Sequence, residues 1–203
     1  MPRADVFVLI PESTRKRAGG ERGLDKVDRF AEGMPAATRK RLETLRADLL
    51  KATGGKGIED RGLLPAYRRY DGNMYRHIDP EAWERRAPEV EVLIVSGLLG
   101  VVASRDPIPA YVHSMAERMP PLGKLNRWWH DGGLPGILSE YFGAVRPKTA
   151  VDLLSQEYRA AVDGYQEALH GIDLRTIDFP GLGRASQPRR GERAAEVLRS
   201  GTV

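Results

Sequence analysis

Residues 90–111, VEVLIVSGLLGVVASRDPIPAY, decide how the chain folds. Val92, Leu93, Ile94 and Val95 form an unbroken apolar run, the composition of a strand covered on both faces. Ser96-Gly97 ends the run where small residues let the backbone turn. A second apolar piece, residues 98–102, leads to the polar turn Ser104-Arg105-Asp106, and two prolines then flank Ile108 before Tyr111. One buried strand thus carries a hydroxyl, a cation, a carboxylate and a phenol into a short segment. Chemistry in open α/β sheets gathers at such carboxyl ends, which makes Ser96, Asp106 and Tyr111 candidate site residues.

Two other segments repeat the pattern. Residues 4–10, ADVFVLI, are rich in β-branched and aromatic side chains, stop at Pro11, and read as a buried strand. The polar turn behind it can hold an anion through backbone amides, Ser13, Arg15 and Lys16, although it lacks the glycines of a Walker loop. Residues 149–154 form a third apolar strand, followed by Ser155-Gln156-Glu157-Tyr158. If the three strands are parallel neighbours, their hydroxyl-bearing turns converge on one cleft. Serines and acids behind a strand also serve simply as helix caps, so it is the threefold coincidence that points to a site.

Between these strands, Leu42, Leu45 and Leu49 recur at helical spacing with charged residues opposite, predicting an amphipathic helix from Pro35 that Thr38 caps and Gly54-Gly55 end. Residues 17–33 read as an exposed excursion. In residues 63–78, Tyr67, Tyr70 and Tyr75 alternate with Arg68, Arg69 and Arg76 around Asp71-Gly72-Asn73. Packing is expected of Tyr67 and Tyr70, and lining of a site of Tyr75. Residues 122–141 predict two short helices with a bend, 159–169 a helix, 173–179 a strand, 181–190 a loop and 191–199 a terminal helix.

The bulk properties set outer bounds. The 203 residues suit a single domain, 1–203, and no apolar run approaches the roughly 20 residues that cross a bilayer. No signal-peptide pattern opens the chain, and a cytoplasmic location is the default expectation, with no membrane partner. Cysteine is absent, which excludes disulfides and thiolate chemistry. The formal charge of +4 permits an anionic partner without demanding one. Basic clusters at Arg15-Lys16-Arg17, Arg39-Lys40-Arg41, Arg68-Arg69 and Arg189-Arg190 are each expected as solvated faces. None of the four histidines has the i, i+4 partner of a zinc motif, so no metal or cofactor is expected. His113, beside the strand-end turn, is a candidate base near neutral pH.

In their order, these motifs resemble the YaaA family. Ser96-Gly97-Leu98-Leu99-Gly100 is similar to its S-G/A-L-x-G element, and Asp106, Ile108-Pro109 and Tyr111 to its D-x-I-P-x-Y. Residues 9–16 are similar to its strand followed by P-P-S-E-G-K, with Pro11, Ser13 and Lys16 retained. Gly72 with Tyr75 resembles G-x-x-Y, Trp129 the tryptophan after G-K-x-L, and residues 155–158 the S-x-E-Y element, so the similarity runs over residues 6–162. Ala103 and Val112 stand where the family has arginines, Arg15 where it has a glycine, and its C-terminal lysine and K/R-G pair shrink to Ser186-Gln187 and Arg190-Gly191.

The resemblance implies a mixed α+β fold, a central mixed sheet ringed by helices, of the kind known from a bacterial peroxide-stress protein that binds DNA. With the missing cations it leads to the expectation of an enzyme on this scaffold. Such an enzyme acts on a small phosphate- or sulfate-bearing molecule by metal-free acid/base chemistry such as elimination, ring closure or ester cleavage, as in a biosynthetic pathway. Lys16, Asp106, Glu157 and His113 are its expected catalytic residues, and Ser13, Arg15, Tyr75, Ser96, Tyr111, Trp129, Ser155 and Tyr158 its binding residues. DNA binding through residues 67–76 and the basic helix at Arg39 is the alternative, and a non-catalytic partner subunit a third reading. The oligomeric state is not legible.

Overall fold

A computed structural model describes residues 4–24 and 27–203. Every residue of β1 (Val6–Pro11) is buried, which is why this apolar segment takes the centre of the sheet. The other strands are β2 (Ile58–Pro65), β3 (Val90–Ser96), β4 (Gly100–Ala103), β5 (Pro107–Tyr111), β6 (Arg118–Met119), β7 (Gly123–Lys124), β8 (Thr149–Asp152) and β9 (Asp173–Thr176). Five of them form one mixed sheet in the order β4-β3-β1-β8-β9. β1 runs parallel to both neighbours, with Val8 opposite Val92 on one side and Val151 on the other. β4 folds back antiparallel on β3, and β9 closes the far edge parallel to β8. The three strands expected to be parallel neighbours are so, and their carboxyl ends share one edge of the sheet.

β2 and β5 pair antiparallel in a separate ribbon that sequence reading did not anticipate. Prolines at 107 and 109 argue against a strand, yet a two-stranded ribbon has only edge strands, where proline is tolerated. Pairing jumps from Glu59↔Ala110 to Leu64↔Ile108, so Pro109 faces an irregularity where no ladder bond is required of it.

Helices cover the sheet as a mixed α/β architecture requires, and one hydrophobic core reaches from Val6 to Leu198. The helix Ala36–Thr53 buries Leu42 and Leu49 and ends at left-handed Gly54, as its periodicity predicts. Thr38 lies inside this helix and hydrogen-bonds Glu140 instead of capping it. Helices Leu125–Asp131 and Leu134–Val145 flank the expected bend. The predicted helix over 159–169 is replaced by Gln156–Val162 and a separate 3-10 turn, Tyr165–Ala168. The last helix, Ser186–Ser200, begins inside the expected loop. Pro188 signals a break in the sequence, but it falls in the first turn, where a missing N–H leaves no helical bond unmade. Among the described residues no helix is long and apolar enough to cross a membrane.

Candidate functional site

At the end of β1 the chain leaves the sheet through Glu12 and doubles back against residues 69–71. Lys16 bridges Tyr70, the Arg17 amide donates to the Arg69 carbonyl at 2.8 Å, and the Asp71 amide donates to the Arg15 carbonyl at 3.0 Å. This turn pushes a carboxylate and an ammonium into the protein. Glu12 Oε2 and Lys16 Nζ are 3.5 Å apart, with side chains 0% and 3% exposed.

The pair is held on every side. The Gly97 amide, at the end of β3, donates to Glu12 Oε1 at 2.8 Å, and the Tyr111 hydroxyl donates to Oε2 at 2.5 Å. Tyr111 in turn hydrogen-bonds Tyr70 at 2.6 Å and Ser96 at 2.7 Å. Lys16 donates to the His113 carbonyl at 3.4 Å and lies 3.9 Å from the centre of the Tyr111 ring. Burial pushes the Glu12 carboxyl up, a rise that Lys16 and the Tyr111 hydroxyl oppose. Burial pushes the Lys16 ammonium down, a fall that Glu12 opposes.

A cleft of about 560 Å³ opens beside this pair. Its walls come from the turn at Ser13 and Arg15, the segment Asp71 to Arg76 with Tyr75, the Ser155, Glu157 and Tyr158 end of β8, and Arg190 of the last helix. Tyr158 connects cleft and pair: its side chain lines the cleft and its hydroxyl donates to Glu12 Oε1 at 3.4 Å. Gly72 allows the walls to close up, since a β-carbon there would stand 2.1 Å from Ser13 Oγ.

The expected residues divide into three groups. Ser13, Arg15, Tyr75, Ser155, Glu157 and Tyr158 line the cleft. Ser96 and Tyr111 meet Lys16 in the polar cluster behind it. Asp106, His113 and Trp129 do not line the cleft. Asp106 accepts from the backbone amides of Arg29 at 2.8 Å, Ala103 at 2.7 Å and Phe30 at 3.4 Å, and borders a different cavity, of about 920 Å³. Burial pushes its carboxyl up to about 6 in spite of those amides. His113 has both ring nitrogens engaged, by Glu117 at 3.0 Å and the Lys56 carbonyl at 2.9 Å. Trp129 is fully buried and donates to the Gly97 carbonyl at 2.8 Å, which fixes the strand end from behind. Glu157 is bound by Lys124 at 2.6 Å and Asn126 at 2.9 Å.

Sequence reading passed over Glu12 and Arg190. In the P-P-S-E-G-K alignment Glu12 falls on the second proline while Thr14 takes the place of the glutamate, so the carboxylate stands two positions early. The signal was a glutamate four residues before Lys16, straight after a buried strand. The expectation that the basic clusters are solvated is corrected for Lys16, Arg69 and Arg190, all of which are mostly enclosed. Among the described residues no three metal-ligating side chains gather to hold an ion.

Comparison with known proteins places the chain in a family. A UPF0246 protein of Francisella tularensis subsp. tularensis (strain WY96-3418) is 31% identical over 114 residues, covering 54% of this chain and 43% of that relative. A UPF0246 protein of Ruegeria sp. (strain TM1040) is 28% identical over 173 residues, covering 79% of this chain and 66% of the relative. The matches thus span less than two thirds of the length of these relatives. A family model described as peroxide stress protein YaaA matches residues 26–182, most of the chain. With the S-G-L-L-G turn, Tyr111 and Tyr158 inside that span, the chain belongs to the peroxide stress protein YaaA family.

Proposed function

We propose that the cleft binds a small anionic molecule and performs acid–base chemistry on it, with Glu12 as the base and Tyr158 as the group that meets the substrate. One observation carries this reading: a buried carboxylate, compensated by Lys16 and reached from the cleft through the Tyr158 hydroxyl. A carboxyl raised by burial is the stronger base when it ionises, and a neighbouring ammonium keeps it ionisable. A substrate proton passes to Tyr158 as Tyr158 gives its own to Glu12, so the phenol is regenerated and the charge moves to the substrate. Elimination, ring closure and ester cleavage all use such a step. Lys16, enclosed behind Glu12, acts as a positioning residue and not as a direct anion ligand.

The DNA-binding reading has less support, because most of the arginines of residues 67–76, and Arg41 of the basic helix, are already engaged. Arg41 meets Glu140 at 2.7 Å, Arg68 meets Glu84 at 2.6 Å, Arg76 meets Asp71 at 3.1 Å, and Arg69 is buried.

The test is to incubate the protein with fractionated bacterial metabolites and follow acidic compounds by mass spectrometry. The expected result is consumption of one such compound by the wild type and a loss of about a hundredfold or more in Glu12→Gln. Equal consumption by Glu12→Gln removes the proposal. Absence of turnover together with salt-sensitive binding of duplex DNA in gel shifts replaces it with the other reading.

A further inference from the structure

Among the described residues every charged side chain that lines the cleft has an ion-pair partner except one, although Asp71 alone serves three arginines. Glu12 has Lys16 at 3.5 Å, Glu157 has Lys124 at 2.6 Å, and Asp71 has Arg76 at 3.1 Å and Arg15 at 3.2 Å. Arg190 lines the same cleft, is 8% exposed, and forms no ion pair among the described residues. Asp178 and Asp152 act on its charge from a distance but touch Arg159 instead, at 3.0 Å and 3.2 Å.

What does hold Arg190 fixes its orientation without giving it a direct ion pair. Its Nη1 donates to Ser186 Oγ at 2.5 Å, and its guanidinium carbon lies 5.3 Å from the centre of the Phe179 ring. Its Nε, out of contact with water, has no hydrogen-bond partner. An unmet donor on an enclosed, unpaired cation is costly unless something else completes it. The Nε edge of a guanidinium presents two parallel donors, the arrangement that matches an oxyanion bidentately.

We propose that Arg190 is the anchor of the substrate, holding an oxyanion, carboxylate or phosphoryl, by its guanidinium, whose covered Nε edge is exposed to the anion by a shift of the side chain. This rests on the reading of the cleft as a site for a small anionic molecule and adds the residue that recognises the charge. The anion then sits at the last helix, opposite the Ser13 turn, and the rest of the molecule extends towards Tyr158.

The test is a titration of the full chain, labelled with 15N-arginine, with inorganic phosphate and separately with malonate, following the Arg190 Nε–H resonance. A saturable shift with either anion is expected, and the more effective of the two names the group. Arg190→Lys, which keeps the charge and loses the fork, is expected to weaken binding by about tenfold or more, the equivalent of one charged hydrogen bond. No shift with either anion overturns the proposal, as does undiminished affinity in folded Arg190→Lys. If that variant does not fold, the wild-type titration alone decides. The readout needs no turnover: failed anion binding removes the anchor and leaves the Glu12 chemistry standing, whereas turnover unaffected by Glu12→Gln removes that chemistry and leaves the anchor.

Discussion

Glu12 Oε2 and Lys16 Nζ lie 3.5 Å apart with almost no access to water, so each charge is costly without the other. Burial drives both groups towards neutrality, and their mutual attraction opposes it. Removing one partner is therefore expected to cost more than removing both. Lys16→Met strands the carboxylate and is expected to lose about 3–5 kcal/mol. Glu12→Gln with Lys16→Met is expected to recover a large part of that loss. Urea unfolding of the wild type, both single variants and the double variant measures the coupling, and strictly additive losses count against it.

Much of this arrangement is legible in the amino-acid sequence. The strands at β1, β3 and β8 announce themselves as apolar runs, and the parallel order β3-β1-β8 brings the Ser13 and Ser155 ends to one cleft, with Ser96 in the polar cluster behind it. Asp106 shows the limit of such reasoning. It follows a strand end as Glu157 does, but the Ser104-Arg105-Asp106 turn carries its carboxylate to the amides of Arg29, Phe30 and Ala103, away from the cleft. Side-chain direction at a turn depends on what packs there, and residue 29 is distant in sequence from 106. Arg190 was hidden for another reason: glycines and Pro188 read as a loop, while the helix that aims it is stabilised by packing against the segment Asn73–Arg76.

Asp106 supplies a pH signature of its own. Its carboxyl titrates at an ordinary 3.8 when solvated and at about 6 in the fold. Between those values the folded chain holds a proton that the unfolded chain has released, so this group's contribution to stability declines as pH rises from about 4 through about 6. Asp106→Asn cannot titrate and is expected to flatten that part of the profile. Thermal melts of both proteins from pH 4 to pH 7 test this, and parallel profiles would count against it.

Arg69 looks from sequence like half of a solvated pair, yet its side chain is wholly enclosed. It donates to the carbonyls of Gly19 and Gly62 at 3.0 Å each, to Ile108 at 3.2 Å, and to Arg17. These carbonyls belong to β2, to β5 and to the segment behind the Lys16 turn, so one guanidinium ties the two-stranded ribbon to the strand end. Arg69→Met leaves the acceptors without their donor and is expected to cost about 3 kcal/mol or more. Arg69→Lys, one point charge in place of a planar fork, is expected to restore only part of it. Urea unfolding reads both losses. A variant within about 0.5 kcal/mol of wild type would mean that solvent replaces the guanidinium freely.

Gly191 determines where the proposed anchor stands. A β-carbon at this position would lie 2.2 Å from the Met74 carbonyl oxygen and 2.8 Å from the His77 β-carbon. The first contact is with backbone, which cannot rotate away as a side chain can, so Gly191→Ala obliges the helix Ser186–Ser200 to retreat from the segment Asn73–Arg76. Helix propensity alone favours alanine by roughly 1 kcal/mol, and overpacking costs about 1–3 kcal/mol, so the net change in stability is expected to be a modest loss. The effect on the cleft is expected to be larger, because Arg190 is the adjoining residue and moves with the helix. Anion affinity read at the Arg190 Nε–H is therefore expected to fall in Gly191→Ala out of proportion to the change in melting temperature. If affinity and stability fall together, or affinity is unchanged, the close approach of this helix to Met74 is not what aims Arg190 at the cleft.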